Sequence, residues 1–407
     1  MNLRIALLCC VTRRDDETAL RRAFPAWVRR FLHDAWNRLN WKLRSRFTYH
    51  YWHYDSAIPR NAGDSAIREA TYQQWSEAAP GLSAQFLEIP WRLMDASQAR
   101  TVNDHCDLAV FSAGALAHVA PDGELSENFQ RYLDFVRQLE KPFLCYGLGV
   151  STPVDVGRRT LPAPSATASR DLAEFFSRTR LAGIRDPLSY DFLLRAGVDG
   201  GSLRPITDPA LFLQGRRAVR LPATPPRIGL NFCFHGRHPM SLATRFAGVY
   251  VAAVEEIRRR IPGCEFTYFS HCPPDTCLAL VLEASGIPLK MIRGGPFELL
   301  EEYGRIDVHM GQMLHSCILA ANAGTPVLAL AYDTKNVGFF SQIGMPEFCL
   351  TPEEWNPAVI AEKVVELFER RQLYSDRLAA AVRRLREPQF AFLAEALASC
   401  PGGMAGV

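Results

Sequence analysis

Asp64, Arg185, His315 and Lys335 are the side chains of this 407-residue sequence whose types and settings best suit chemistry on an anionic substrate. His315 follows the run Val308-His309-Met310-Gly311-Gln312-Met313-Leu314, where a strand ends near Gly311 and a helix starts near Leu314. A histidine at a helix start facing a cleft can have its charge and tautomer tuned for proton transfer. Arg185 closes the run Gly183-Ile184-Arg185, and Pro187 then occupies the first turn of a helix. Its planar fork can grip a carboxylate or phosphate, or it can serve a structural ion pair to Asp186 or another acid. Thr207-Asp208-Pro209 ends the next strand in the same manner and adds a second carboxylate. Lys335, after Tyr332-Asp333-Thr334, suits a phosphate as a point charge. Asp64 lies in Asn61-Ala62-Gly63-Asp64-Ser65, a polar turn opening a helix. Gly63 there permits close backbone approach, and free N–H groups suit an anion or sugar hydroxyls. An N-cap by Asp64 or Ser65 would account for the same residues without any ligand.

Two further motifs are weaker. Tyr146-Gly147-Leu148-Gly149-Val150-Ser151 places glycines after a buried strand, as in half of a dinucleotide fingerprint. The third glycine and the immediate helix are missing, so a nicotinamide cofactor is not expected, although a ligand can still approach. Asn231-Phe232 ends a strand, with Arg237 in the following loop as a lesser anion ligand. Cys264, His271, Cys272 and Cys277 lack the second closely spaced pair of a zinc site and read as packing residues beside Pro273-Pro274, so no metal is expected.

The elements that must position these groups are short apolar runs alternating with amphipathic stretches. Ile5–Cys10, Ala84–Ile89, Leu108–Phe111, Phe143–Tyr146 and Gly183–Arg185 come first. After a proline- and arginine-rich linker, Ile228–Cys233, Glu265–Ser270, Leu289–Ile292, Val308–Met310 and Val327–Ala331 repeat the pattern. Strands alternating with helices mean parallel sheets. The fold class is therefore α/β, with two Rossmann-like doubly wound domains, 1–218 and 219–407, facing a cleft onto which their strand-end loops converge. Glu354–Phe392 reads as two closing helices.

Balanced charge, 46 basic against 43 acidic residues, excludes nucleic acid as a bulk partner. No apolar run reaches eighteen residues and no cleavage pattern follows Cys9-Cys10, so neither a membrane span nor a signal peptide is read. Eleven scattered cysteines fit reduced thiols and a cytoplasmic protein. Residues 21–54 form an insertion with eight Arg or Lys against Asp34 alone, and Phe24, Trp27, Phe31 and Trp36 at helical spacing. Its aromatic stripe either closes the domain core or lies on a membrane surface beside a lipid-linked substrate.

Taken in order from Asn61 to Gly344, the pieces resemble the polysaccharide pyruvyl transferase family. Members show an Asn-x-Gly-Asp loop, a glycine turn, Arg-Asp-x-x-Ser, Asp-Pro, Arg-Leu-His at a helix start, and Tyr-Asp-x-Lys. The resemblance implies a fold like that of two-domain, GT-B-like glycosyltransferases. It also implies transfer of a pyruvyl group from phosphoenolpyruvate, the donor substrate, onto hydroxyls of a saccharide as a ketal, with no separate cofactor. It assigns proton transfer to His315 and Asp64, and the donor to Arg185, Lys335, Arg237, Gly147 and Gly149. Asn61, Gly63, Asp186, Asp208, Asn231, Tyr332 and Asp333 fall to the acceptor or the cleft wall. The sequence departs from the pattern at Met313, where the family has arginine, and at Ser112-Ala113-Gly114, where consecutive glycines are common. A methionine cannot bind an anion. A second reading therefore keeps the family and changes the donor, to a nucleotide sugar or another small metabolite. A third makes the chain a non-catalytic subunit that engages a partner or the inner membrane face through residues 21–54.

Overall fold

The computed structural model describes residues 2–9, 61–78, 83–91, 94–112, 114–154, 159–216, 225–234 and 237–399. The insertion at 21–54 and the expected boundary at 218/219 lie outside them.

The first sheet holds β1 (Asn2–Cys9), β2 (Ser83–Pro90), β3 (Leu108–Phe111), β4 (Ala115–His118), β5 (Phe143–Ser151), β6 (Leu181–Ile184) and β7 (Leu203–Pro205). Its order is β2-β1-β3-β5-β6-β7, all parallel, with β4 pairing onto the far end of β5. The second sheet holds β8 (Arg227–Asn231), β9 (Glu265–Ser270), β10 (Leu289–Arg293), β11 (Val308–Gly311), β12 (Val327–Leu330) and β13 (Cys349–Leu350), in the parallel order β10-β9-β8-β11-β12-β13. Central strands such as β3, β5 and β12 are buried along their whole length. Their sequences are accordingly unbroken apolar runs rather than alternating ones, as sheets covered on both faces require. Strand order reverses between β1 and β3 and between β8 and β11, and such switch points leave crevices at the carboxyl ends of the strands.

Two expected strand ends move. β6 stops at Ile184, so Arg185 has already left the strand, although its N–H still reaches Leu148 O at 2.9 Å. β5 runs on to Ser151, so Gly147 and Gly149 lie inside it, where its register against β6 shifts between Cys145 and Leu148.

Two helices tie the halves together. α1 (Ala62–Ala78) buries Ala62, Ala66, Ile67 and Ala70 in the core of the second half and Trp75 against the first sheet. The last helix, labelled α12 (Arg371–Ala398), packs Leu378, Ala381 and Leu385 on the second half, passes Pro388, and packs Phe392, Leu393 and Ala396 against Leu3, Ile5 and Leu144 of the first. At the crossing, buried Gln389 accepts from Thr207 N at 3.0 Å and donates to Tyr146 Oη at 2.7 Å and Gln74 Oε1 at 3.2 Å. Among the described residues no helix is long and apolar enough to cross a membrane.

Candidate active site

Helix α1 begins beside the cleft. Asn61 Oδ1 accepts from the N–H groups of Gly63 at 3.0 Å and Asp64 at 3.4 Å, while Ala62 N donates to His271 O at 2.9 Å and Ser65 N to Asn61 O at 3.1 Å. The cap is thus Asn61, not Asp64 or Ser65, and it consumes the N–H groups that an anion would have needed. Asn61 holds the turn rather than a ligand. Gly63 is required for another reason: a Cβ there would lie 2.2 Å from His315 Nδ1. The start of α1 lies against the imidazole.

His315 is in the first turn of α9 (Leu314–Asn322), over the β8/β11 switch point. Its Nε2 stands 3.6 Å from Asp208 Oδ2 and has no hydrogen-bond partner among the described residues. Burial pushes the Asp208 carboxyl upward, but the close approach and charge of His315, with the Arg185 charge and the hydrogen bond from Ala210 N, outweigh this and hold it below its ordinary value. Arg185 Nη1 donates to Asp208 Oδ2 at 3.3 Å, and its Nε lies 3.7 Å from Asp186 Oδ2. Arg185 is 4% exposed, yet its Nε and Nη2 have no hydrogen-bond partner among the described residues. Unpaired donors on a buried guanidinium are costly, and their adjacent pair has the geometry of a carboxylate fork.

Glycines make room for that guanidinium. A Cβ on Gly149 would meet Arg185 Nε at 2.4 Å, and one on Gly114 would meet Nη1 at 3.2 Å. Gly147 has φ +71° and abuts Pro209, whose Cδ a Cβ would meet at 2.4 Å. Gly147 and Gly149 therefore make room for the Asp208-Pro209 turn and for the Arg185 guanidinium.

Asp64 faces the same space. Burial raises its pKa, opposed by the charges of His315, Lys335 and Arg185 and reinforced by Asp208. Lys335 is in the first turn of α10 (Thr334–Gln342), capped by Asp333, and its Nζ lies 4.7 Å from the centre of the Tyr332 ring. This corner is stitched across the two halves. Thr334 N donates to Thr152 O at 3.0 Å, Thr152 N to Thr334 Oγ1 at 3.1 Å, and Val154 N to Tyr332 O at 3.0 Å. Asp186 caps α5 (Pro187–Arg195) through Ser189, and Gly338 of α10 approaches it so closely that a Cβ would lie 2.6 Å from its Oδ1.

Other expected residues fall elsewhere. Asn231 is fully buried, donating to Phe269 O at 2.9 Å and accepting from Met313 N at 3.0 Å, so its amide is committed to the second sheet. Met313 is 6% exposed and packs in the apolar core of the second half. Arg237 starts α6 (Arg237–Arg260), but its side chain lies outside the described residues. His271 hydrogen-bonds Tyr303 Oη at 2.8 Å, and Cys272 Sγ lies 3.2 Å from Asp275 Oδ1. Asp275, raised to about 6 by burial, anchors that loop. The sequence reading missed His118, at the end of β4, whose Nδ1 is 3.0 Å from Ser151 Oγ. No apolar run or motif marks that short, bulged strand.

Comparison with known proteins places this geometry. Amylovoran biosynthesis protein AmsJ of Erwinia amylovora is 31% identical over 77 residues, so the match spans about a fifth of either chain, 19% of each. A putative UDP-N-acetylglucosamine 2-epimerase from Listeria monocytogenes is similar in fold, with TM-score 0.54 and 12% identity over 80% of this chain and 92% of that one. UDP-GlcNAc 2-epimerase from Neisseria meningitidis, bound to UDP-GlcNAc, gives TM-score 0.52 and 11% identity over 98% and 100%. At such identities these two show the fold alone, an α/β pair of parallel-sheet domains. The family model for polysaccharide pyruvyl transferase matches residues 14–334, spanning the segments that supply Asp64, Arg185, Asp208 and His315, and the chain belongs to that family.

Proposed function

We propose that this cleft moves a pyruvyl group from phosphoenolpyruvate to two hydroxyls of a saccharide, forming a ketal and releasing phosphate. The observation that carries this reading is the contact chain from Gly63, next to Asp64, through His315 and Asp208 to buried Arg185, whose Nε and Nη2 make no hydrogen bond among the described residues, with the charges of His315, Lys335 and Arg185 all acting on Asp64. The donor has a carboxylate and a phosphate at opposite ends. Arg185 Nε and Nη2 take the carboxylate and Lys335 takes the phosphate. Asp64, whose carboxyl burial raises above its ordinary value against the charges of His315, Lys335 and Arg185, delivers a proton to the methylene carbon. His315, oriented by Asp208, takes the proton of the attacking hydroxyl as its oxygen bonds to the central carbon. Cleavage of the bond from that carbon to the phosphate oxygen expels phosphate, and the second hydroxyl closes the ketal.

The test is phosphate release from phosphoenolpyruvate with methyl hexopyranosides carrying a free 4,6-diol. His315→Ala is expected to lower the rate by at least about 100-fold. A wild-type chain that transfers nothing from phosphoenolpyruvate but uses a nucleotide sugar would replace this reading with the second one. Met313 favours that alternative, since its side chain is packed in the core of the second half and holds no anion. A lipid-linked acceptor, met at a membrane through residues 21–54, is the extension of the proposal that the basic and aromatic composition of that segment supports.

A further inference from the structure

Ketal formation strips protons from two hydroxyls in turn, and His315 with Asp64 accounts for the first addition only. From the geometry we infer that His118, held by Ser151, binds the second hydroxyl of the saccharide and accepts its proton as the ketal closes. The inference rests on the pyruvyl-transfer reading of the cleft.

Three observations carry it. β4 pairs with the end of β5 with an irregular register between Ala115 and Ala117, and His118 stands opposite Ser151, whose Oγ engages its Nδ1 at 3.0 Å. Irregularities of this kind re-aim a side chain next to active sites. The residue just after β5, Thr152, carries the reciprocal bonds to Thr334, the residue before Lys335, from the other half. His118 keeps part of its surface toward water while its ring end is part-buried against Ser151, and the charged groups acting on it are Asp333, Lys335 and Arg185. Lys335 and Arg185 also act on Asp64, so the two donor-holding cations are shared between the Asp64–His315 pair and His118. Lost hydration, with Lys335 and Arg185 opposing Asp333, keeps the imidazole below its ordinary 6.5, hence neutral and able to accept a proton at neutral pH.

The step balances. After phosphate has left, the second hydroxyl oxygen forms its bond to the cationic central carbon, its O–H bond breaks, and the proton passes to the imidazole and then to water. Without that base, water adds instead. The resulting hemiketal collapses to free pyruvate and unchanged saccharide.

Phosphate, ketal and free pyruvate are therefore followed together for wild type, His118→Gln and His118→Ala, using phosphoenolpyruvate and a methyl hexopyranoside diol, with donor binding read by thermal stabilisation. The expected result is unchanged stabilisation by phosphoenolpyruvate in both variants, continued phosphate release, and a ketal-to-phosphate ratio lowered at least about tenfold as free pyruvate appears. In the wild type that ratio should fall on acidification through the pKa of His118, and this limb should vanish in the variants. An unchanged ratio in both variants overturns the inference, and so does loss of donor stabilisation, which would make His118 a donor ligand. A wild type that neither binds nor consumes phosphoenolpyruvate removes the reading beneath it, and that result appears before any variant is made.

Discussion

At the scale of single residues the site trades stability for chemistry. Asp64 titrates higher in the folded protein than its ordinary 3.8, chiefly because it is buried. Protons then bind the folded state more tightly, so ionising this carboxyl costs stability above the unfolded value and costs nothing well below it. Asp64→Asn is expected to raise the melting temperature at pH 7, to lose that advantage below about pH 4, and to lower transfer at least about 100-fold. Melting curves across pH, set beside rates, check both halves. Asp208 has the opposite sign. Held below its ordinary value by His315 and Arg185, it contributes stability that is present above the unfolded value and lost as pH falls through the folded one. Gly63→Ala would put a Cβ 2.4 Å from His315 Cγ and 2.6 Å from its Cβ, so ring and helix start must part. A loss of about 1–3 kcal/mol in denaturant unfolding is expected, together with a fall in rate larger than in KM.

At the scale of elements, loops at strand ends bring the groups together while helix caps hold them. Asp186, Asp208 and Asp333 each spend a carboxylate oxygen on a cap, and the second oxygen of Asp186 and of Asp208 faces Arg185. α10 of the second half sits on Asp186 of the first through Gly338, where a Cβ would meet the carboxylate carbon at 2.8 Å. Gly338→Ala should wedge this contact open. We expect a lower melting temperature and weaker donor binding, with His315 chemistry recovered at saturating donor, and a KM-against-kcat comparison reads it. Much of this was legible in the sequence. Pro187 after Arg185-Asp186 announced a strand end followed by a helix, and the buried strands appeared as apolar runs. The glycines of β5 also make room for the Arg185 guanidinium and Pro209, contacts between distant segments that spacing cannot express. His118 was invisible for a related reason: its importance comes from pairing with Ser151 across 33 residues.

At the scale of the molecule, two doubly wound sheets were expected, and two are found, but the means of joining them was not read from the sequence. α12 carries one apolar stripe to each half, and the polar cluster of Gln389, Gln74, Tyr146 and Thr207 sits at its crossing. Gln389→Leu would leave Thr207 N without its acceptor in a buried place, at about 1–3 kcal/mol, while Tyr146 Oη keeps its bond to Gln74 Oε1. Calorimetry should show the melting transition lowered, with the pH dependence of transfer unchanged. Donor recognition by Arg185 is the most direct consequence of the cleft so assembled. The measurement is a thermal-shift titration with phosphoenolpyruvate, beside a set of nucleotide sugars, on wild type and Arg185→Lys. The lysine variant keeps the charge near Asp208 and loses the fork. Saturable stabilisation by phosphoenolpyruvate is expected, weakened at least about tenfold in apparent affinity in Arg185→Lys. Stabilisation by a nucleotide sugar with none by phosphoenolpyruvate at millimolar concentration would contradict it.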